Sequence, residues 1–211
     1  DRMRPQVAAP AEAVALPEYP TPVETRVRYR AGHRPLPAPD ARWLHLDDVR
    51  VQDGGTVDDG RRLVVYEAAA DPSLDFVAGV WESSFGSAAH PEGMLLRRRP
   101  DAGETVEEGI LLSGRADDNW YHFIVEYLPR VLDIPAEVGA DVPLLVSGRT
   151  VPAGFDALRS LTDRPIVRLD ADRSTAVRRL HVAAPVVQIL DSTRVPWSDG
   201  LAIDLPRLRA L

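Results

Sequence analysis

The sequence predicts an α/β fold, in which a Rossmann-like unit is preceded by a strand-rich segment. After Gly114, short apolar stretches of strand length alternate with stretches of helical period, which is typical of a parallel sheet with helices on its faces. Before Gly114, apolar and polar residues alternate one by one, as they do in half-buried strands. The elements predicted after Gly114 are a helix over 118–132, a strand over 142–147, a helix over 152–162, and strands over 165–170 and 175–186.

The strand-rich segment begins with WLHLDDVRVQ (43–52), which has the alternation of a half-buried strand. DGGTVDDG (53–60) follows and is rich in turn residues, and RRLVVYEA (61–68) predicts a second strand, so we expect a hairpin or meander. Further on, GMLLRRRP (93–100) predicts a short strand or turn. TVEEGILLSG (105–114) predicts a buried strand that runs into Gly114.

The chain divides into two regions by composition. Residues 1–40 hold many of the 19 prolines and show no sustained hydrophobic period, which predicts a Pro/Ala-rich extended arm. Residues 41–211 form the predicted α/β domain. The glycine pattern GxGxxG is missing from this domain, so the sequence offers no support for dinucleotide binding.

Composition excludes several classes of function. The net charge is −7 and the longest basic run is Arg97 to Arg99, so nucleic acid is not an expected partner. All 25 basic residues are Arg, which excludes a lysine nucleophile, and the absence of cysteine excludes thiolate chemistry and disulfides. No apolar run approaches the roughly 20 residues that a transmembrane helix needs, and the first residues lack a secretion signal. We therefore expect a cytoplasmic protein without a transmembrane segment.

The segment DDNWYHFIVEYLPR (117–130) carries the strongest functional signal. Successive residues of a helix lie about 100° apart, so the aromatic and aliphatic residues of this segment cover most of its circumference. The narrow polar stripe that remains consists of Asn119, His122, Glu126 and Arg130, which are spaced to stack along one line.

The ends of this helix also follow from the sequence. Asp118 or Asp117 is suited to cap the amino end, and Pro129 removes the hydrogen bond to the carbonyl of Val125, which predicts a kink or an end near Leu128. Two interpretations of the stripe stay open. It is either a solvated surface with an ordinary Glu–Arg pair, or the wall of a cleft in which Asn and His bind a ligand and move a proton.

The run N-W-Y-H-F-I-V-E-Y-L-P-R (119–130) resembles the signature of glycosyltransferase family 61, the capsular-polysaccharide type. The resemblance implies a GT-B architecture, inverting transfer from a nucleotide-sugar donor to a glycan or other hydroxyl acceptor, and no required metal or cofactor. It further implies that these residues form the Rossmann-like, acceptor-side N-terminal half, with the C-terminal donor domain absent. A catalytically inert carbohydrate-binding or interaction domain of the same ancestry is the alternative.

Within this resemblance the stripe residues receive roles. An inverting transferase needs a base for the acceptor hydroxyl, and we expect His122 to be that base while Glu126 orients it, or the reverse. Asn119 is expected to bind sugar hydroxyls, and Arg130 to contact a phosphate or hold Glu126. Asp118, at the start of the helix, is a further candidate for substrate binding. We expect Tyr121 to lie in the core.

Metal ligation has little support in the sequence. The paired carboxylates at 47–48, 58–59 and 117–118 lack a fixed ligand set. The four histidines outside the helix have no ligand-like spacing, so we expect core or surface roles for His33, His45, His90 and His181.

Overall fold

The computed structural model of the chain describes residues 43–52, 54–60, 63–64, 87–90, 93–96, 99–114, 116–183, 187–189 and 201–203. The arm predicted over 1–40 and most of the second strand predicted over 61–68 lie outside these residues. The elements that carry the candidate site, from 99 to 183, are described almost without interruption.

Eleven strands and two helical regions occur among the described residues. The first five strands are β1 (Trp43–Gln52), β2 (Thr56–Asp58), β3 (Leu63–Val64), β4 (Ser87–His90) and β5 (Gly93–Leu96). The others are β6 (Asp101–Leu111), β7 (Leu144–Ser147), β8 (Ile166–Leu169), β9 (Ser174–Ala183), β10 (Val187–Ile189) and β11 (Leu201–Ile203). The helical segment 120–133 follows β6, and helix α1 (Pro152–Leu161) follows β7.

Seven of the strands form one mixed sheet in the order β3-β2-β1-β9-β6-β7-β8, in which β3 is only two residues long. Strands β6 to β9 pair in parallel, whereas β1 pairs antiparallel with β9 on one side and with β2 on the other. The remaining strands form two separate antiparallel pairs, β4 with β5 and β10 with β11.

The predicted Rossmann-like α/β fold is wrong. The sheet is mixed and curls into a half-barrel, and the described residues are mostly strand with few helices. The GT-B architecture that the resemblance implied is therefore wrong as well. The strands themselves are close to prediction, since β7, β8 and β9 lie within the runs predicted over 142–147, 165–170 and 175–186 to within one residue. The prediction was wrong about which elements cover the two faces of the sheet.

The apolar runs of β6 and β7 explain both the prediction and its failure. Ile110 and Leu112 pack with the helical segment 120–133 and α1, while Leu111, which points the other way, packs with Val51 and Val57 of the β1–β2 hairpin. Such strands are apolar throughout because both faces are buried. Helices cover only one face here, and the curled sheet covers the other with its own hairpin.

Two left-handed backbone positions accompany the curl. Asp48, in the middle of β1, has φ 52°, and Gly103 of β6 has φ 82° where the pairing of β6 with β9 shifts register. Irregularities of this kind bend a strand and increase its twist. They occur in the two strands that flank β9, so that side of the sheet can fold over β6 and β7.

The hairpin turn between β1 and β2 touches the far end of β6. Gly55 has φ 76°, and a Cβ added there would lie 2.3 Å from the carbonyl oxygen of Ser113. The sequence predicted turn residues over 53–60, but Thr56–Asp58 form β2, so the turn is confined to the residues between Gln52 and Thr56. The curl therefore closes through a contact between main chains.

Within the described part of the chain, no helix has the length and apolar character required to cross a membrane.

We predict that Gly55→Ala destabilises the protein more than Gly103→Ala does. Both glycines have a left-handed φ, but a Cβ at Gly103 meets nothing within 4 Å. Gly103→Ala should lower the free energy of unfolding by about 1–2 kcal/mol from backbone strain alone. Gly55→Ala adds a clash with main-chain atoms, which cannot rotate away as a side chain can. It should therefore lower the free energy of unfolding by roughly 3–5 kcal/mol. Urea unfolding of both variants measures the difference, and equal losses would contradict the close approach.

Candidate functional site

The candidate site begins where β6 ends, in a loop held by a buried carboxylate. Asp117 is fully buried, and its Oδ2 accepts hydrogen bonds from the Ser113 hydroxyl at 2.6 Å and from the main-chain N–H of Gly114 at 3.1 Å. The guanidinium of Arg149, in the loop after β7, lies 3.8 Å from Asp117 Oδ1. Asp117 thus fixes the loop that leads into the helical segment.

The helix cap differs from the prediction. Asn119 is the N-cap, and its side-chain oxygen accepts the N–H of Tyr121 at 2.9 Å. Asp117 is engaged in the preceding loop, and Asp118 is exposed. Asn119 therefore caps the helix, a role that the sequence predicted for Asp117 or Asp118. Its amide group lies at the exposed start of the helical segment.

The helical segment is irregular over most of its length. It consists of an α-helical turn (Trp120–His122), a π-helical turn (Phe123–Tyr127) and a 3-10 turn (Leu128–Asp133). The N–H of Leu128 donates to the carbonyl of Phe123, five residues back. π turns are rare and are found often at functional sites. The predicted break at Pro129 is confirmed in position, and it takes the form of a change in helix type.

Arg130 is buried and donates a hydrogen bond to the main chain of the irregular segment. Its Nε donates to the main-chain carbonyl of Glu126 at 2.7 Å, and its guanidinium lies 4.6 Å from the centre of the Tyr127 ring. Arg130 is only 1% exposed. The side-chain donor thus reaches the carbonyl of Glu126, next to the Val125 carbonyl that Pro129 leaves without its usual donor. This buried position makes a direct phosphate contact by Arg130 sterically unfavourable.

His122 and Glu126 form a hydrogen-bonded pair on the same side of the segment. Nδ1 of His122 lies 2.5 Å from Oε1 of Glu126, and the two side chains are 22% and 9% exposed. Because an ionised carboxylate only accepts hydrogen bonds, Nδ1 carries the proton in this contact. Nε2 then carries the lone pair, and this nitrogen makes no hydrogen bond within the described part of the chain. Such an imidazole is oriented to accept a proton.

The solvated-surface interpretation of the stripe is wrong for its central members. Glu126 and Arg130 are both buried, and the Arg130 guanidinium binds the main-chain carbonyl of Glu126. The stripe therefore divides into an exposed beginning at Asn119, a partly open dyad of His122 and Glu126, and a buried structural arginine.

Two aromatic residues at the start of the segment are exposed, and one of them contacts His122. Trp120 is 47% exposed and Tyr121 is 51% exposed, although the sequence analysis assigned both to the apolar face. The Tyr121 ring packs edge-on against the His122 imidazole with ring centres 5.7 Å apart. The wrong prediction has a geometric cause, because the α-helical part is a single turn and its first residues extend beyond the core.

Tight packing holds the other side of the segment. A Cβ on Gly114 would lie 2.4 Å from the Tyr127 hydroxyl, and one on Gly154 of α1 would lie 3.0 Å from the Phe123 ring. At the carboxyl end, Nε1 of Trp43 donates to the carbonyl of Asp133 at 3.0 Å. Trp43 thus packs against the segment, which leaves His122 and Glu126 on a well-supported backbone.

A second polar cluster, which the sequence analysis missed, crosses three strands. His45 of β1 and His181 of β9 are directly paired, with their Nδ1 atoms 2.7 Å apart, and Nε2 of His181 lies 2.7 Å from Oε1 of Glu108 on β6. One imidazole must donate and the other must accept. The spacing along the chain gave no signal for this cluster, because only the pairing of β1 with β9 brings the two histidines together.

Three or more His, Asp or Glu side chains suitable for a metal ion do not converge anywhere in the residues that the structure describes. No family model, no curated protein and no solved structure matches this chain. The resemblance to glycosyltransferase family 61 accordingly rests on the motif at 119–130 and the pattern of its flanks.

We predict that Arg130→Met destabilises the protein, whereas Arg159→Met does not. The Met side chain fills similar space but leaves the buried carbonyl of Glu126 without its donor, which should lower the free energy of unfolding by about 1–3 kcal/mol. Arg159 pairs with Asp156 on the exposed face of α1, so its replacement should change stability by less than about 1 kcal/mol. Urea unfolding provides the measurement. A loss at Arg159 as large as that at Arg130 would contradict the role assigned to the buried guanidinium.

Proposed function

We propose that this chain contributes the acceptor side of an inverting glycosyl transfer from a nucleotide sugar, with His122 as the general base. The observation that carries the proposal is the 2.5 Å contact between His122 and the nearly buried Glu126, which leaves Nε2 of His122 available to an incoming hydroxyl. The motif around this dyad resembles glycosyltransferase family 61, and polysaccharide biosynthesis is the setting which that resemblance implies.

The dyad suits the proton transfer that this reaction requires. Nε2 of His122 accepts the proton of the acceptor hydroxyl while the oxygen attacks the anomeric carbon from the face opposite the nucleotide. The bond to the leaving nucleotide breaks, and its electron pair stays on the phosphate oxygen. Glu126 stabilises the imidazolium that forms, and its position on Nδ1 favours His122 over Glu126 as the base.

The exposed aromatic residues supply a surface for the acceptor. The Tyr121 ring packs against His122, and Trp120 is exposed on the same short turn. Such rings pack against the C–H faces of sugars. Asn119 and Asp118, both exposed at the start of the segment, offer hydrogen-bonding groups to sugar hydroxyls.

The same surface also supports a second candidate, a carbohydrate-binding domain without catalytic activity. Trp120 and Tyr121 would then bind a glycan, and the dyad would serve only to hold the π turn. The two candidates differ in what His122 does, because a binding domain has no need of a base.

We predict that His122→Asn abolishes transfer but leaves glycan binding in place. In the full-length gene product, kcat should fall by about 10²–10⁴-fold, the typical contribution of a general base, with little change in KM. His45→Asn is the matched control and should leave kcat unchanged. Transfer at the original rate by the His122 variant, with the fold intact by circular dichroism, would exclude His122 as the base and favour the binding domain.

We predict that Trp120→Ala weakens acceptor binding, whereas Leu132→Ala does not. Leu132 is the matched control because it is also a large exposed apolar residue on this segment, 42% exposed, but at the opposite end from the dyad. Loss of one aromatic contact of about 0.5–1.5 kcal/mol corresponds to a rise of roughly 2–10-fold in the acceptor KM or Kd. Equal effects of both substitutions on acceptor binding would show that Trp120 makes no specific contact with the acceptor.

A further inference from the structure

A cavity of about 260 Å³ lies at the other end of β6 from the helical segment. It opens where β1 and β2 approach their turn and where β6 and β9 begin. It is smaller than the roughly 300–1,000 Å³ typical of sites for drug-sized ligands, so it suits one sugar-sized ring better than a nucleotide. Its described lining includes Arg50, Gln52, Asp58, Arg99, Asp101 and Ser174.

The floor of the cavity is built by strand register. Gln52 of β1 lies opposite Thr56 of β2 on one side and opposite Ser174 of β9 on the other, and Ser174 lies opposite Asp101 of β6. Side chains at directly opposed positions lie on the same face of a sheet, about 4.5–5.5 Å apart. Four neighbouring strands therefore bring a continuous row of polar side chains to one face.

Gln52, which lines the cavity, retains hydrogen-bonding capacity although the residue is nearly buried. Gln52 is 4% exposed, and its side-chain amide has no hydrogen bond to any residue in the described part of the chain. The Thr56 hydroxyl, at the opposed position of β2, also has no partner there, but Thr56 does not line the cavity. Buried polar groups are almost always paired, and leaving one unpaired costs about 1–3 kcal/mol. A ligand that both donates and accepts hydrogen bonds would satisfy the Gln52 amide, which has two donors and an acceptor.

The charges of the described residues that line the cavity cancel. Its lining contains the guanidinium groups of Arg50 and Arg99 and the carboxylates of Asp58 and Asp101. Arg50 Nη1 and Asp101 Oδ2 form an ion pair at 2.5 Å. The N–H of Gly103, and after it Arg50, lower the pKa of Asp101, so this carboxylate stays ionised and the pair stays balanced at neutral pH. A strongly charged ligand gains no net attraction from this arrangement.

We propose that this cavity binds a single neutral sugar ring, recognised by the Gln52 amide and the Ser174 hydroxyl, which both line it. A pyranose has the required size, carries no charge, and offers hydroxyl groups that act as donors and acceptors together. The Ser174 hydroxyl, which is 2% exposed and donates to the carbonyl of Arg99 at 3.3 Å, keeps lone pairs for a further contact. This site does not depend on the dyad and does not rest on the proposed function.

The test is a titration of the isotopically labelled chain with D-glucose and D-galactose, followed by amide chemical shifts. Saturable shifts are expected for at least one sugar, centred on residues 50–52, 56–58 and 174. The variant Gln52→Leu should bind about tenfold more weakly, as expected for the loss of a buried hydrogen-bonding group. Its free energy of unfolding should be unchanged or higher, because an unpaired amide is replaced by an apolar side chain of similar size.

Matched controls separate this site from other sources of binding. Thr175→Val replaces a buried hydroxyl on the next residue of β9, which points to the opposite face, and should leave sugar binding unchanged. His122→Asn should also bind sugar normally at this cavity, so failure of one proposal does not imply failure of the other. Shifts centred on 119–126, binding of inorganic phosphate in place of sugar, undiminished binding by Gln52→Leu, or no saturable shift with either sugar would each overturn the proposal.

Discussion

The structure depends on the close approach of the β1–β2 turn to the end of β6. Gly55 meets the main chain of Ser113 and Gly114, and Gly114 in turn lies against the hydroxyl of Tyr127. Three layers meet here without room for a side chain: the curled hairpin, the end of a central strand and the helical segment. Because Asp117 binds Ser113 and Gly114 from the same loop, the contact that closes the half-barrel also sets where the helical segment begins.

The position of the dyad follows from an irregular backbone that other groups stabilise. A π turn and a 3-10 turn replace most of the α-helix, so the usual hydrogen bonds between successive turns are incomplete. Arg130 donates to the carbonyl of Glu126, and Trp43 donates to that of Asp133. These contacts allow Glu126 to remain nearly buried beside His122, where its carboxylate orients the imidazole. The exposed ring of Tyr121 packs against this imidazole.

Much of the strand arrangement could be predicted from local patterns. The alternation in WLHLDDVRVQ corresponds to β1, and the apolar runs correspond to β6, β7 and β8, because side-chain period is a local property. The candidate dyad could also be predicted, since residues four apart on a helix meet whether that turn is α or π. Strand partners could not be predicted in this way. The pairing of β1 with β9 joins residues about 130 positions apart, and with it come the His45–His181 contact and the row of polar residues at the cavity floor.

The sequence by itself determined the strands β1, β6, β7, β8 and β9, and that His122 and Glu126 share one side of a helical turn. These features depend on residues close together along the chain. Only the tertiary structure decided that β6 and β7 are covered on one face by a hairpin and not by a second layer of helices. The apolar sequence of these strands requires burial on both faces, but the hydrophobic effect is non-directional and does not specify what provides it.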